Sequence, residues 1–201
     1  MSTFNLDNVV LKTGSHQYTD DVCVMEAVSL FANEDNKSDY PVCVDPIISS
    51  FMRRFNDYVP DSERQQLKKF IPLMVGTATD GKSEARVLVV LNFYMSTILP
   101  LLFSKHTSLE KWVLRFNDFG RVTLSNRTEA TKLFNDAAAA AHVSAYAVYA
   151  DAAGAVYAAV YAAVYAADAA YAAASAADAS AADAAISFEQ LLDFTTLLIK
   201  G

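Results

Sequence analysis

Tyr157-Ala158-Ala159-Val160-Tyr161-Ala162-Ala163-Val164-Tyr165-Ala166-Ala167-Asp168-Ala169-Ala170-Tyr171 lies inside a stretch, Ala137 to Ala185, in which 29 of 49 residues are alanine. Alanine loses no side-chain entropy on ordering and has the highest helix propensity, so this composition predicts helix. On a wheel stepped by about 100° per residue with Tyr157 at zero, Tyr161 and Tyr165 fall at about 40° and 80°, Asp168 at about 20° and Tyr171 at about −40°. Ala158, Ala159, Ala162, Ala163, Ala166 and Ala167 take the opposite half. Small side chains let helix axes approach to the short end of the usual range of about 8–10 Å. The alanine face is therefore expected to be buried, with the phenols and carboxylates facing outward. One unbroken helix would span about 70 Å, too long for a 201-residue chain. Gly154 is the expected break, giving two helices packed through alanine.

The flanking sequence is helical too. Downstream, Ser187 and Gln190 have capping-box spacing, with Ile186 and Leu191 as a hydrophobic staple. The closing helix would bury Leu191, Leu192, Phe194, Leu198 and Ile199. Upstream, Asp20 or Asp21 is expected to cap a helix with Val24, Ala27, Val28 and Phe31 inward. Asp45-Pro46 starts another, burying Ile47, Ile48, Phe51, Phe55 and Tyr58. Pro60-Asp61-Ser62 opens a third, kinked at Pro72 and ending near Gly76. Ser108 is expected to begin a helix ending at Gly120, and Ser125 to cap the segment that enters the alanine stretch.

Val87 to Phe103 carries no charge, but it is 17 residues long and includes Asn92, Ser96, Thr97 and Pro100. That is the lower limit for a spanning helix, so a buried central helix is expected. Only Val9-Val10-Leu11 reads as extended. The chain is predicted to be all-α: a compact helical region over residues 1–132, and alanine-rich helices plus a closing helix over 133–201, packed as one domain.

Net charge is −7, unevenly spread. Residues 1–132 are close to balanced, whereas 133–201 hold seven acids and only Lys200. An acidic, nearly base-free final third argues against a nucleic-acid partner. No secretory signal precedes the helices, since Asn5, Asp7 and Asn8 interrupt any apolar run. A cytoplasmic protein with reduced thiols, outside any membrane, is the resulting expectation.

No phosphate-cradling glycine loop, nucleophile elbow, His-Glu-x-x-His helix or Cys-x-x-Cys pair occurs. The one constellation with chemical potential is His16, Asp21, Cys23, Glu26, Asp39 and Cys43. A cysteine in a helix's first turn meets the positive end of the dipole, which lowers its thiol pKa. His16 could return as its base, with Glu26 one turn along, as a cysteine-dependent hydrolase or transferase requires. His16, Cys23 and Cys43 could alternatively hold a metal. The plainer expectation is two small buried cysteines, with no metal and no cofactor.

Gly14-Ser15-His16, Asp21-Val22-Cys23-Val24-Met25-Glu26-Ala27-Val28 and Ser38-Asp39-Tyr40-Pro41-Val42-Cys43-Val44-Asp45-Pro46 resemble a family of uncharacterised proteins from actinobacteria and their phages. The resemblance continues through Pro60-Asp61-Ser62-Glu63-Arg64 and Ile71-Pro72-Leu73-Met74-Val75-Gly76-Thr77, and resumes in the alanine tract and the final helix. Tyr40 stands where that family has histidine, and the arginines of the family's tract are absent here. The resemblance implies a phage-encoded protein and carries no assigned activity.

Taken together, the sequence predicts a non-enzymatic interaction protein that binds a protein partner or self-associates through Tyr157, Tyr161, Tyr165, Asp168 and Tyr171. A small-molecule sponge with its pocket between helices is the third reading, beside the thiol enzyme. Replacing Tyr157, Tyr161 and Tyr165 with alanine should abolish assembly or partner capture and leave the far-ultraviolet helical signal intact. Unchanged oligomeric mass and capture would refute the assigned surface.

Overall fold

A computed structural model describes residues 5–16, 21–104, 109–144 and 187–201. The tyrosine face of the alanine stretch, its expected break at Gly154 and the helix start expected at Ser108 lie outside the described residues. Among the described residues the chain is all-α and contains no strand. Its one extended contact is a parallel bridge between Leu11 and Val22. The Gln65 side chain holds that segment from the other side: its Oε1 accepts from the Leu11 N–H and its Nε2 donates to the Leu11 carbonyl, both at 3.0 Å.

Helix α1 (Val24–Phe31) begins at Cys23, not at Asp20 or Asp21. The correction has a local cause, since Glu26 reaches back to the Cys23 N–H and closes a capping box around that residue. Helix α2 (Pro46–Tyr58) starts as expected, with Asp45 Oδ1 accepting from the Ile47 N–H at 2.8 Å and proline at the first position.

The single kinked helix expected after Pro60 is three pieces. They are α3 (Asp61–Arg64), a 3-10 stretch (Gln65–Phe70) and α4 (Ile71–Met74), with Pro72 in the opening turn of α4. Proline cannot donate to the turn behind it, and the chain tightens before reaching it. Gly76, at φ 86°, supplies the left-handed residue that ends the run. Arg64 is buried and donates to the carbonyls of Asn56 at 2.7 Å and Val59 at 2.6 Å, closing the end of α2.

The uncharged run forms the central helix: α5 (Ser83–Phe93), a π turn (Tyr94–Ile98) and α6 (Leu99–Ser104). The rewinding falls where Pro100 has no N–H to give back and Ser96 Oγ donates to the Asn92 carbonyl at 2.8 Å. Tyr94 is wholly buried there, its hydroxyl without a hydrogen-bond partner among the described residues, and burial pushes its phenol pKa well above the ordinary value.

Helix α7 (Glu110–Phe119) packs on α6 through Phe103 and Phe116, whose rings stack at 5.6 Å. Phe116 also meets Phe134 of α8 (Arg127–Ser144) at 6.3 Å. Asn126, not Ser125, takes the position before α8, where its carbonyl accepts from the Ala130 N–H. The closing helix α9 (Phe188–Lys200) has the expected Ser187/Gln190 capping box and buries Leu191, Leu192, Phe194 and Leu198. Phe194 stacks on Phe93 at 4.2 Å and meets Phe51 edge-on at 5.0 Å, joining α9 to both α5 and α2.

Arg86 locks this junction. It is fully buried and donates to Asp45 Oδ2 at 3.2 Å, to Asp80, and to the carbonyls of Leu198 and Ile199 at 3.1 Å. With Phe93 opposite Phe194 and Arg86 opposite Leu198, α9 runs antiparallel to α5. Burial works against the guanidinium's charge, but Asp80 and Asp45 outweigh it and hold its pKa above the ordinary value. In return the Arg86 hydrogen bond, working against burial, brings the Asp80 carboxyl down from 3.8 to about 2.

Arg86→Ala leaves the fully buried Asp45 carboxylate without its cation and should cost about 3–5 kcal/mol in urea unfolding at pH 7. Because the folded pKa of Asp80 lies below its unfolded value, its contribution is complete above pH 3.8 and fades as pH falls toward about 2. Asp80→Asn should accordingly flatten the loss of stability in that acid window.

Candidate functional site

The structure brings His16, Cys23 and Glu26 together, with the carboxylate between the other two. Glu26 is fully buried. Its Oε2 accepts from the Cys23 N–H at 2.8 Å and meets His16 Nδ1 at 3.2 Å, while its Oε1 accepts from the His16 N–H and, at 3.4 Å, from Ser15 Oγ. Four donors thus satisfy a carboxylate that burial would otherwise penalise. The imidazole is bound to Glu26, and among the described residues no hydrogen bond joins it to the thiol.

Cys23 does not have the environment its position suggested. The thiol is 2% exposed and serves as the helix cap, its Sγ accepting from the Glu26 N–H at 3.5 Å. Burial pushes its pKa up to about 12; the Glu26 backbone bond works the other way, and the Glu26 charge adds to the rise. The dipole argument is overturned by desolvation and by a negative neighbour, both of which disfavour thiolate.

Cys43 stands apart, its N–H donating to Glu34 Oε1 at 3.0 Å and its carbonyl accepting from Gly76 and Ala78. Burial, followed by Glu34, raises its thiol to about 11. Both cysteines are free thiols, and no group of three metal-ligating side chains forms among the described residues. Among the described residues Asp21 contributes its backbone carbonyl, to Lys37 Nζ at 2.9 Å. Asp39 lines a small polar hollow with Ser15, Cys23 and Arg53.

A larger concavity is of another kind. A groove of about 650 Å³ runs between α5 and α9, with Leu88, Val89, Phe93, Phe194 and Leu197 in its lining. Its wall from α5 and the π turn presents residues 85, 88, 89, 92, 93, 96 and 97, the three-and-four spacing of one helix face over about 18 Å. Asn92, Arg121, Asp193 and Lys200 supply a polar margin. Asn92 also fixes the neighbouring loop, accepting from the Val122 N–H at 2.8 Å and donating to its carbonyl at 2.9 Å.

Leu88, Val89 and Phe93 are half-buried and Leu197 is 58% exposed, so this apolar face is only partly covered. Over Ser83–Leu101 the central helix has a mean hydropathy of 1.3, long and apolar enough to cross a membrane, yet 44% of that window is buried within the protein. Sequence reasoning missed this groove. The available signal was the width of the apolar surface on α5, more than one neighbouring helix can cover.

No protein-family model matches the chain, and neither do curated proteins or solved structures.

Iodoacetamide at pH 6 should leave Cys23 unmodified in the folded protein, by mass spectrometry of its peptide, and modify it once urea unfolds the chain at pH 8. Rapid labelling of folded protein at pH 6 would establish a thiolate and restore the enzyme reading.

Proposed function

We propose that the protein is a non-enzymatic binding module whose α5/α9 groove receives the apolar stripe of an amphipathic helix, from a protein partner or a second copy of the chain. The observation that carries the reading is the partly covered apolar face of Leu88, Val89, Phe93 and Leu197. Two antiparallel helices with side chains spaced three and four apart leave a furrow into which a third helix packs ridge into groove. A furrow some three turns long and open along one side suits an extended apolar stripe better than a small enclosed ligand.

The groups with catalytic potential support the same reading. Glu26 and Cys23 are engaged in capping α1, and Arg86 and Asp45 in joining α9 to the core. The tyrosine face of residues 157–171 remains the surface proposed from sequence for protein contact, and a phage origin rests on the resemblance of the block from Cys23 to Ala27. The two surfaces are compatible, since neither uses the residues of the other.

Leu197 is exposed, so Leu197→Glu should alter stability by no more than about 0.5 kcal/mol. It should nevertheless lower the affinity for bis-ANS and for a model Leu/Lys amphipathic helix about tenfold or more, by placing a charge where an apolar side chain must seat. Sedimentation of the two forms tests for a second copy as occupant. A peptide affinity and an oligomeric mass both unchanged by the substitution would remove the groove as the binding surface.

A further inference from the structure

A smaller hollow of about 240 Å³ lies between the Gly14–Ser15 turn and α2. Two arginines, Arg53 and Arg54, and two aspartates, Asp39 and Asp57, stand in its lining, so the charges of its described residues balance. Asp57 is already engaged, its Oδ1 accepting from the Gly14 N–H at 2.7 Å and from Asn56 Nδ2 at 3.1 Å. Arg53 is fixed in orientation, its guanidinium carbon 3.4 Å from the centroid of the Tyr40 ring. Its Nη2 reaches Ser50 Oγ only at 3.5 Å, and its Nη1 is buried without a hydrogen-bond partner among the described residues. Asp39 is half-buried and makes no hydrogen bond or ion pair among the described residues.

Buried guanidinium nitrogens are normally satisfied, and half-buried carboxylates usually find a donor. Here one of each borders the same hollow, and no ion pair within 4 Å joins them. That leaves a donor and an acceptor for a third molecule. We propose that this hollow binds a small zwitterion of the α-amino-acid type, its carboxylate taken by Arg53 and its ammonium by Asp39.

The charges among the described lining residues select this class. A simple anion would meet Asp39 and Asp57 as well as the arginines, and a simple cation would meet Arg53. Size is consistent too: at about 30 Å³ per water, the hollow has room for about eight waters or one compact ligand. Ser15 and Cys23, the other polar groups of the lining, place it beside the His16–Glu26 cluster, so a ligand would contact the capped end of α1.

Equilibrium dialysis of the full chain with radiolabelled glycine and L-serine, against acetate and methylammonium as single-charge controls, tests the assignment. Both amino acids should bind about tenfold or more tightly than either control, as two charge-assisted contacts exceed one. Arg53→Gln and Asp39→Asn should each weaken binding about tenfold or more while circular dichroism and bis-ANS binding stay unchanged. Arg53→Lys, which keeps the charge and loses the planar fork, should fall between. Amino acids binding no better than acetate, or an Asp39→Asn protein binding them as well as the parent, would overturn the proposal without touching the groove.

Discussion

Arg86 is the constraint on which the arrangement of helices depends. A guanidinium without solvent contact must be neutralised and hydrogen-bonded on all sides, and three separate parts of the chain meet that demand. Asp45 comes from the cap of α2, Asp80 from the turn before α5, and the Leu198 and Ile199 carbonyls from the last turn of α9. The carbonyls at a helix C-terminus have no partners within the helix, so one side chain satisfies itself and ends α9 in the same act. Asp45 is likewise shared, since one oxygen caps α2 while the other receives Arg86 and Ser83. Apolar packing among Phe51, Phe93 and Phe194 supplies the adhesion, and Arg86 sets the register in which those rings meet.

The parts legible in the sequence were those whose physics is local. Asp45-Pro46 and Ser187–Gln190 declare helix starts because the cap and its partner lie within three residues. The inward stripes of α2 and α9 follow from 3.6-residue spacing alone. Reading stopped where the decisive partner is remote. Arg86 lies 112 residues from Leu198, and nothing near it announces a buried role. Gln65 clasps Leu11 across 54 residues in the same unannounced way. The division of the Pro60–Gly76 run also depended on more than Pro72, because Arg64 ties its first turn down onto α2.

The cluster at α1 shows how far composition can be trusted for chemistry. Spacing placed His16, Cys23 and Glu26 in one neighbourhood, and they are together. What spacing could not supply was the dielectric. A thiol at a helix start is activated only if water or a cation also reaches it. Cys23 has instead a buried setting and a carboxylate for a neighbour, and both favour the neutral form. The same three side chains therefore organise a helix terminus, a role that needs their hydrogen bonds and not their reactivity.

The central helix poses the matching question for apolar surface. Arg86 sits inside its most hydrophobic window, and its two carboxylate partners come from outside that helix, so the window is bound into the protein through a polar anchor. On the anchored side α9 and α2 cover it. Along the groove Leu88, Val89 and Phe93 are covered only in part, so a share of the roughly 1.5–3 kcal/mol that full burial of such a side chain contributes is still to be gained. Packing one more helix along that furrow recovers the remainder and leaves the Arg86 junction in place, because Arg86 is fully buried and does not line the groove. An apolar face left open beside a rigid polar lock can persist as a surface, the combination that the proposed binding module requires.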